Sequence, residues 1–394
     1  MNKQNSKTFL SIFLGTMSAF GPFVMDMYLP TLPSMTNYFH SSSSMVQLGL
    51  TAGMVGLAAG QLIFGPLSDR YGRRQSLIAA MILFLLSTLG CLFSQNIFQF
   101  TILRVAQGIA GAGGVVLSRS IAADRYASHE LAAMLALIGA INGIATVAAP
   151  IAGGILAGFG GWKGIFWFLC LLGVALLVGT LYFKETLPQA RRQCGQWISV
   201  LQNFGTVFRN RTYMSYVFQY GFTMSVLFVN IASAPFIMQQ HYGLSPLSFS
   251  LCFGINAIAM VISSGVAVKL PTMERALQTG SYGMILFAAM ICTALFLGCS
   301  FWIYEVLTFC LLSMVGMSFT ASNALAMDCE RRHAGIASAL LGAVGYAAGG
   351  IVSPLVGIGD IFMSTGTLFV TGSICAYICT RYALTQRFFR LRTF

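Results

Sequence analysis

Charge is what this sequence has least of. Of 394 residues only 32 are ionised at neutral pH, 22 basic and 10 acidic, which is 8% of the chain. An ordinary soluble domain carries about 25%. A water-facing surface cannot be built around a chain of this size with so few charges, so a soluble globular fold is excluded. Disorder is excluded too, because it requires low hydrophobicity and high charge. The 42 glycines follow no three-residue period, which excludes collagen. HExxH, GxSxG, a Walker-type phosphate loop and a dinucleotide fingerprint are all missing, so no catalytic residue, cofactor or enzyme activity is expected. The four histidines show no metal-ligand spacing, and no metal site is expected. The ten cysteines include no CxxC pair. Cys91, Cys170, Cys252, Cys292, Cys299, Cys310, Cys329, Cys375 and Cys379 fall in or beside apolar runs, and Cys194 lies in a basic loop, so they read as small packing residues.

What fills the space is apolar: 57% of residues are hydrophobic. Runs long enough to span a bilayer, about 20 residues each, recur at 8–33, 45–67, 76–94, 97–120, 132–158, 163–183, 213–238, 246–268, 279–299, 302–324, 335–357 and 362–382. The first follows Lys3 and Lys7 but has no clear small-residue cleavage site, so it reads as an anchored helix rather than a signal peptide. With the N-terminus inside, 20 of the 22 basic residues fall in inner segments; only Lys163 is outside, and Arg104 lies within a span. The positive-inside rule then places both termini in the cytoplasm. It also accounts for the net charge of +12 without any nucleic acid. The expected class is an all-α multi-pass membrane protein whose surrounding partner is the lipid bilayer.

The longest inner connection follows the sixth run. There Trp197, Ile198, Val200, Leu201, Phe204, Val207 and Phe208 recur at helical spacing, as in a helix lying in the membrane interface. A weak internal repeat flanks it. Ala122-Ala123-Asp124 followed by His129 matches Ala326-Met327-Asp328 followed by His333 at an offset of 204. The chain therefore divides into a six-helix bundle (1–184), a cytoplasmic linker with an interfacial helix (185–212) and a second six-helix bundle (213–394). Duplication of this kind is a transporter signature.

One inner connection stands out: Gly65-Pro66-Leu67-Ser68-Asp69-Arg70-Tyr71-Gly72-Arg73-Arg74. Two glycines flank a charge cluster, which reads as a tight turn between helices with Gly72 free to take a left-handed conformation. Asp69 and Arg73 are four residues apart and able to pair, and Asp124 on the next inner connection is able to join them. This decapeptide resembles motif A of the major facilitator superfamily. Leu103-Arg104-x-x-Gln107-Gly108 resembles the superfamily's motif B. Gly139, Gly143 and Ala149-Pro150-Ile151-Ala152-Gly153-Gly154 resemble its antiporter motif, with Ala149 where glycine is usual. Asp26-Met27-Tyr28-Leu29-Pro30-Thr31-Leu32-Pro33 resembles the first-span motif of twelve-span drug:proton antiporters. The combination is most similar to the bicyclomycin-resistance (Bcr/CflA) multidrug efflux subfamily.

Asp26 is the one acid well inside a predicted span. A carboxylate in hydrocarbon costs several kcal/mol unless it is paired, hydrated or protonated. Two readings are open: a proton-carrying group, or a cap on the helix break beside Pro30. Arg104 is the one intramembrane base. It either faces the interior, where it tunes Asp26 or bonds Gln107 and backbone carbonyls, or snorkels to the outer interface. Gly143, Pro150, Gly153 and Gly154 allow close packing and bending of the fifth span. That serves gating or plain packing. Gln61, Asn142, Gln219, Asn230, Asn256 and Asn323 are polar residues inside spans, candidates for lining a cavity. Glu305, at the start of the tenth span, is expected at the outer surface.

The resemblance implies alternating access across a bacterial inner membrane, by a monomer that uses the proton gradient and no cofactor. Its proton and substrate residues would be Asp26, Tyr28, Arg104, Gln107, Asn142 and Asn230. Gly65, Asp69, Arg70, Gly72, Arg73, Arg74 and Asp124, with the fifth-span residues, would gate it. The expected activity is export of lipophilic drug-like small molecules. Export of a physiological metabolite, such as a sugar or amino acid derivative, and a non-transporting receptor or scaffold are the alternatives.

Overall fold

In a computed structural model the residues described are 6–126, 128–189, 192, 205, 207–330 and 334–392. Among them the ordered elements are helices. In the first half these are α1 (Lys7–Asp26), a 3-10 turn (Leu29–Thr31), α2 (Leu32–Tyr38), α3 (Ser43–Tyr71), α4 (Arg73–Leu92), α5 (Ile97–Arg125) and α6 (Ser128–Tyr182). The second half holds α7 (Arg211–Phe236), which continues as a π-turn to His241, then α8 (Pro246–Lys269), α9 (Met273–Phe296), α10 (Phe301–Cys329), α11 (Ala334–Val356) and α12 (Ile361–Arg392).

Local chemistry sets the helix ends. Ser6, Ser42, Asn96, Asn210 and Thr272 each accept a hydrogen bond from a backbone N–H in the first turn of α1, α3, α5, α7 and α9, filling donors that a helix start leaves unpaired. α6 has 55 residues, about 80 Å at 1.5 Å per residue, far beyond the roughly 30 Å of a bilayer's hydrocarbon. Gly161, at φ 56° and ψ −152°, breaks it, so α6 is two passes end to end. Elsewhere, α1 with α2, α3 to α5, α7 to α10 and α12 are long and apolar enough to cross, and α11 holds a 17-residue apolar segment, Leu340–Val356. Twelve passes follow among the described residues. Large apolar side chains such as Leu86, Leu171 and Ile351 are about two-thirds exposed on them, as expected where the solvent is lipid.

The chain forms two compact units. One comprises Met1–Cys194 with Ser245–Leu251, the other Gly195–Leu244 with Cys252–Phe394. In the first, α5 packs against α3 and α4, and α6 against α1 and α4. The α3–α5 seam is built from glycine. A Cβ on Gly56 or Gly60 would collide with the backbone of Val105 or Ile109, and one on Gly108 with the carbonyl of Gly53. Small residues let two backbones touch where no hydrophobic force distinguishes helix from lipid. In the second unit α7 packs against α10, α11 and α12, around Tyr213, Tyr216, Leu277, Leu325 and Leu341. The expected interfacial stripe from Trp197 to Phe204 lies outside the described residues, as do Cys194 and His333; the nine described cysteines are free thiols.

A Gly108→Val protein is expected to lose about 1–3 kcal/mol of stability by overpacking, and its melting temperature in detergent should fall. Gly265→Ala on α8, where a Cβ meets open space, should leave it unchanged or slightly raised. Equal melting temperatures for the two would contradict the seam.

Candidate functional site

The first span does not run straight. Pro30 has no backbone N–H to continue the helix, and α1 stops at Asp26, followed by the 3-10 turn over Leu29–Thr31. A helix that ends inside a membrane leaves carbonyls without donors. Arg104 fills that gap. It is fully buried on α5, with one terminal nitrogen donating to the Val24 carbonyl at 3.1 Å and Nε donating to the Gly49 carbonyl of α3 at 3.4 Å. The same terminal nitrogen donates to Gln107 Oε1, and the guanidinium carbon stands 4.4 Å from the centre of the Tyr28 ring. Gln107 passes the chain on, donating through Nε2 to Thr88 Oγ1 at 2.8 Å. A cation at a helix C-terminus also suits the direction of the helix dipole. Arg104 therefore does not snorkel; it bonds Gln107 and backbone carbonyls.

Asp26 sits at the same break and is partly exposed. No hydrogen bond or ion pair reaches its carboxylate among the described residues. The helix break passes directly against α6, because a Cβ on Gly153 would overlap the Met27 carbonyl. Gly143 has open space beside it, Gly154 faces Pro246 and Ser250, and Pro150 is buried within α6. Of the remaining residues expected here, Asn142 is partly exposed on α6. Asn230 is buried on α7 of the other unit, and its Oδ1 has no partner among the described residues.

The charge cluster forms a second group. α3 runs to Tyr71, so Gly65 is helical rather than part of a turn, and the reversal falls on Gly72 alone, at φ +99°. A side chain on Gly72 would also strike Glu185 and Arg192. Arg73, buried just past it, donates to Ser68 Oγ at 2.6 Å, to Asp69 Oδ1 at 2.6 Å, and to both oxygens of Asp124 at 2.7 and 3.3 Å. Three helices, α3, α4 and α5, are thus tied through one planar guanidinium, whose fork geometry lysine cannot reproduce. Glu185, beyond the sixth pass, accepts from the backbone N–H groups of Arg73 and Arg74 at 3.0 and 3.2 Å and so caps α4. Arg74 reaches the Leu181 carbonyl at 2.7 Å, and Arg70 is exposed, above Tyr71. Sequence reasoning missed Ser68 and Glu185. An acid shortly after a span is a usable signal for the second.

Glu305 requires a correction. It is 9% exposed on α10, not at the surface, and it accepts a hydrogen bond from Asn256 Nδ2 at 3.1 Å. Asp26 is therefore not the only acid within a span. The error came from position: four residues into a helix suffices to bury a side chain when a neighbouring helix covers that turn.

Two bundles of membrane-crossing helices, one with a buried arginine at a broken first helix and an ionic clasp among its second, third and fourth passes, describe a secondary transporter. The chain belongs to the major facilitator superfamily, whose model, "Major Facilitator Superfamily", matches residues 9–354. It is 37% identical over 360 residues to the "Uncharacterized MFS-type transporter YdgK" of Bacillus subtilis, covering 89% of each chain. It is 29% identical over 409 residues to the "Bicyclomycin resistance protein homolog" of Haemophilus influenzae, covering 98% of each. A crystal structure of the nucleoside transporter NupG superposes with a TM-score of 0.75 at 14% identity, over 95% of this chain and 99% of that one, which speaks to the fold.

Asp124 is less exposed than Asp69, with side chains 17% and 41% open, so water screens its bond to Arg73 less. Asp124→Asn is expected to destabilise the purified protein by about 1–3 kcal/mol and Asp69→Asn by less than about 1 kcal/mol, read as melting temperatures in detergent. The reverse order would contradict the clasp as described.

Proposed function

We propose that this protein exports lipophilic, uncharged or weakly cationic compounds from the cytoplasm in exchange for protons, with Asp26 as the coupling carboxylate. The observation that carries the reading is the contrast between Asp26 and Arg104. The arginine's donors go to carbonyls and to Gln107, while the acid beside it is left without a hydrogen bond among the described residues. An acid held in a membrane with no donor is poised to gain and lose a proton. The likeness to a protein named for bicyclomycin resistance supports drugs as the substrate class.

In this account the inward-open protein takes substrate from the cytoplasm or inner leaflet, and in the outward-open state a proton reaches Asp26 and displaces it. Tyr28 and Arg104 shape the surroundings of Asp26, and Gln107 holds Arg104. Asn142 and Asn230 offer polar contacts to the substrate. Arg73, with Asp69 and Asp124, latches the inner ends of three helices in one state and releases them in the other, aided by Gly65, Arg70, Gly72 and Arg74. Gly143, Pro150, Gly153 and Gly154 let α6 move against the break. No cofactor is needed: one proton crossing 100 mV supplies about 2.3 kcal/mol, roughly a fifty-fold concentration ratio. The basic residues at the predicted inner ends support an inner-membrane orientation with both termini cytoplasmic, and the exporter works as a monomer.

The test is dye transport into everted membrane vesicles under an imposed pH gradient. Wild type should accumulate a lipophilic fluorescent substrate and lose it on adding a protonophore. Asp26→Asn should be reduced at least about tenfold, with Asp26→Glu between the two. Undiminished gradient-driven transport by Asp26→Asn would remove Asp26 from the mechanism.

A further inference from the structure

Glu305 on α10 is the second acid that the fold places inside a span, and its surroundings are incomplete. Asn256 of α8 donates to one carboxylate oxygen at 3.1 Å. The other oxygen, Oε2, is buried with no partner among the described residues, and so is Oδ1 of Asn256, a residue 1% exposed. Both unfilled atoms are acceptors as long as the acid is ionised, and an ionised carboxylate can only accept. Among the described residues nothing nearby supplies the missing positive charge. The titratable groups around Glu305 are the Cys252 thiol on α8 and the Tyr304 hydroxyl on its own helix, with Tyr242 and Cys299 beside Tyr304. No lysine, arginine or histidine pairs with it, and no group of three metal ligands forms, among the described residues.

We propose that Glu305, held by Asn256, is a second proton-binding carboxyl of this protein, residing in the other unit from Asp26. One proton removes the buried charge, which would otherwise stand in a low-dielectric interior with a single neutral donor. It also converts one of the two unfilled acceptors into an O–H donor. A glutamine at this position would meet the same amide without titrating, so what the glutamate adds is the capacity to exchange a proton. The step is a protonation alone: Oε2 gains a proton from water as the O–H bond forms, and returns it to water when the bond breaks. Proton binding at Glu305 is independent of which substrate the protein carries. Only its bearing on the number of protons moved per cycle rests on the export reading.

The experiment is pH-dependent infrared difference spectroscopy on the full chain in lipid nanodiscs, reading the carbonyl stretch that only protonated carboxylic acids give. Among the carbonyl bands of its ten acidic side chains, wild type should show one that belongs to Glu305 and one that belongs to Asp26. Glu305→Gln should lose one and keep the other, and Asp26→Asn should do the converse. Asn256→Ala should displace the Glu305 band and leave the Asp26 band in place, a change that a merely structural glutamate would not show. If Glu305→Gln does not fold, Glu305→Asp serves instead, with the band expected at a shifted frequency. A Glu305→Gln protein with every wild-type carboxyl band intact, or a Glu305→Asp protein with none displaced, overturns the proposal. Because Asp26 is read separately, failure of one site leaves the other result standing.

Discussion

The constraint on which the first unit depends is that a helix cannot end inside a membrane without something to take its carbonyls. α1 ends at Asp26 because Pro30 cannot continue it,. Hydrocarbon offers no donors to an exposed backbone, so the protein must provide them. It provides Arg104, whose donors reach the Val24 carbonyl in the last turn of α1 and the Gly49 carbonyl of α3 at once. From that arrangement follow the burial of Gln107 and Thr88 as its support and the placing of Tyr28 against the guanidinium. Asp26 stays at the break without a hydrogen bond among the described residues.

The same economy governs the other end of the unit. Arg73 is nearly as buried as Arg104, but its partners are carboxylates instead of carbonyls. The difference suits the two places. Carbonyl partners leave the positive charge of Arg104 in the apolar interior, where it acts on its surroundings; two carboxylates neutralise Arg73 where three helices converge. A clasp made of ion pairs at an end of the bundle can open when water reaches it, because the pairing weakens as the charges hydrate. A bond network in the apolar interior has no such release.

Much of this was legible in the sequence, and the reasons are specific. The passes were readable because hydrocarbon demands about 20 apolar residues each, and even the merged α6 separates at Gly161, between the predicted fifth and sixth runs. The Arg73 cluster was readable from spacing, but a shared helical face is not what joins it: Asp69 lies in the last turn of α3 and Arg73 begins α4, and the reversal at Gly72 folds one back onto the other. Its turn was misplaced, because Gly65 and Pro66 are ordinary turn residues that here lie inside a helix. Glu185 was not found, since its partners, the Arg73 and Arg74 amides, are backbone groups remote in sequence; Ser68 meets the Arg73 side chain close in sequence but only across the reversal at Gly72. Glu305 was misread for a related reason. Depth along a span is readable from numbering, but burial depends on which neighbour covers a given turn, and Asn256 lies 49 residues away.

The central claim is that substrate and proton compete through Asp26. It is tested most directly by adding a lipophilic substrate to the purified protein in weakly buffered detergent solution and following pH with an indicator dye. The account predicts that substrate binding releases protons from wild type and releases markedly fewer from Asp26→Asn that still binds. Equal proton release from both proteins, or none from wild type at any pH where it binds substrate, would contradict it.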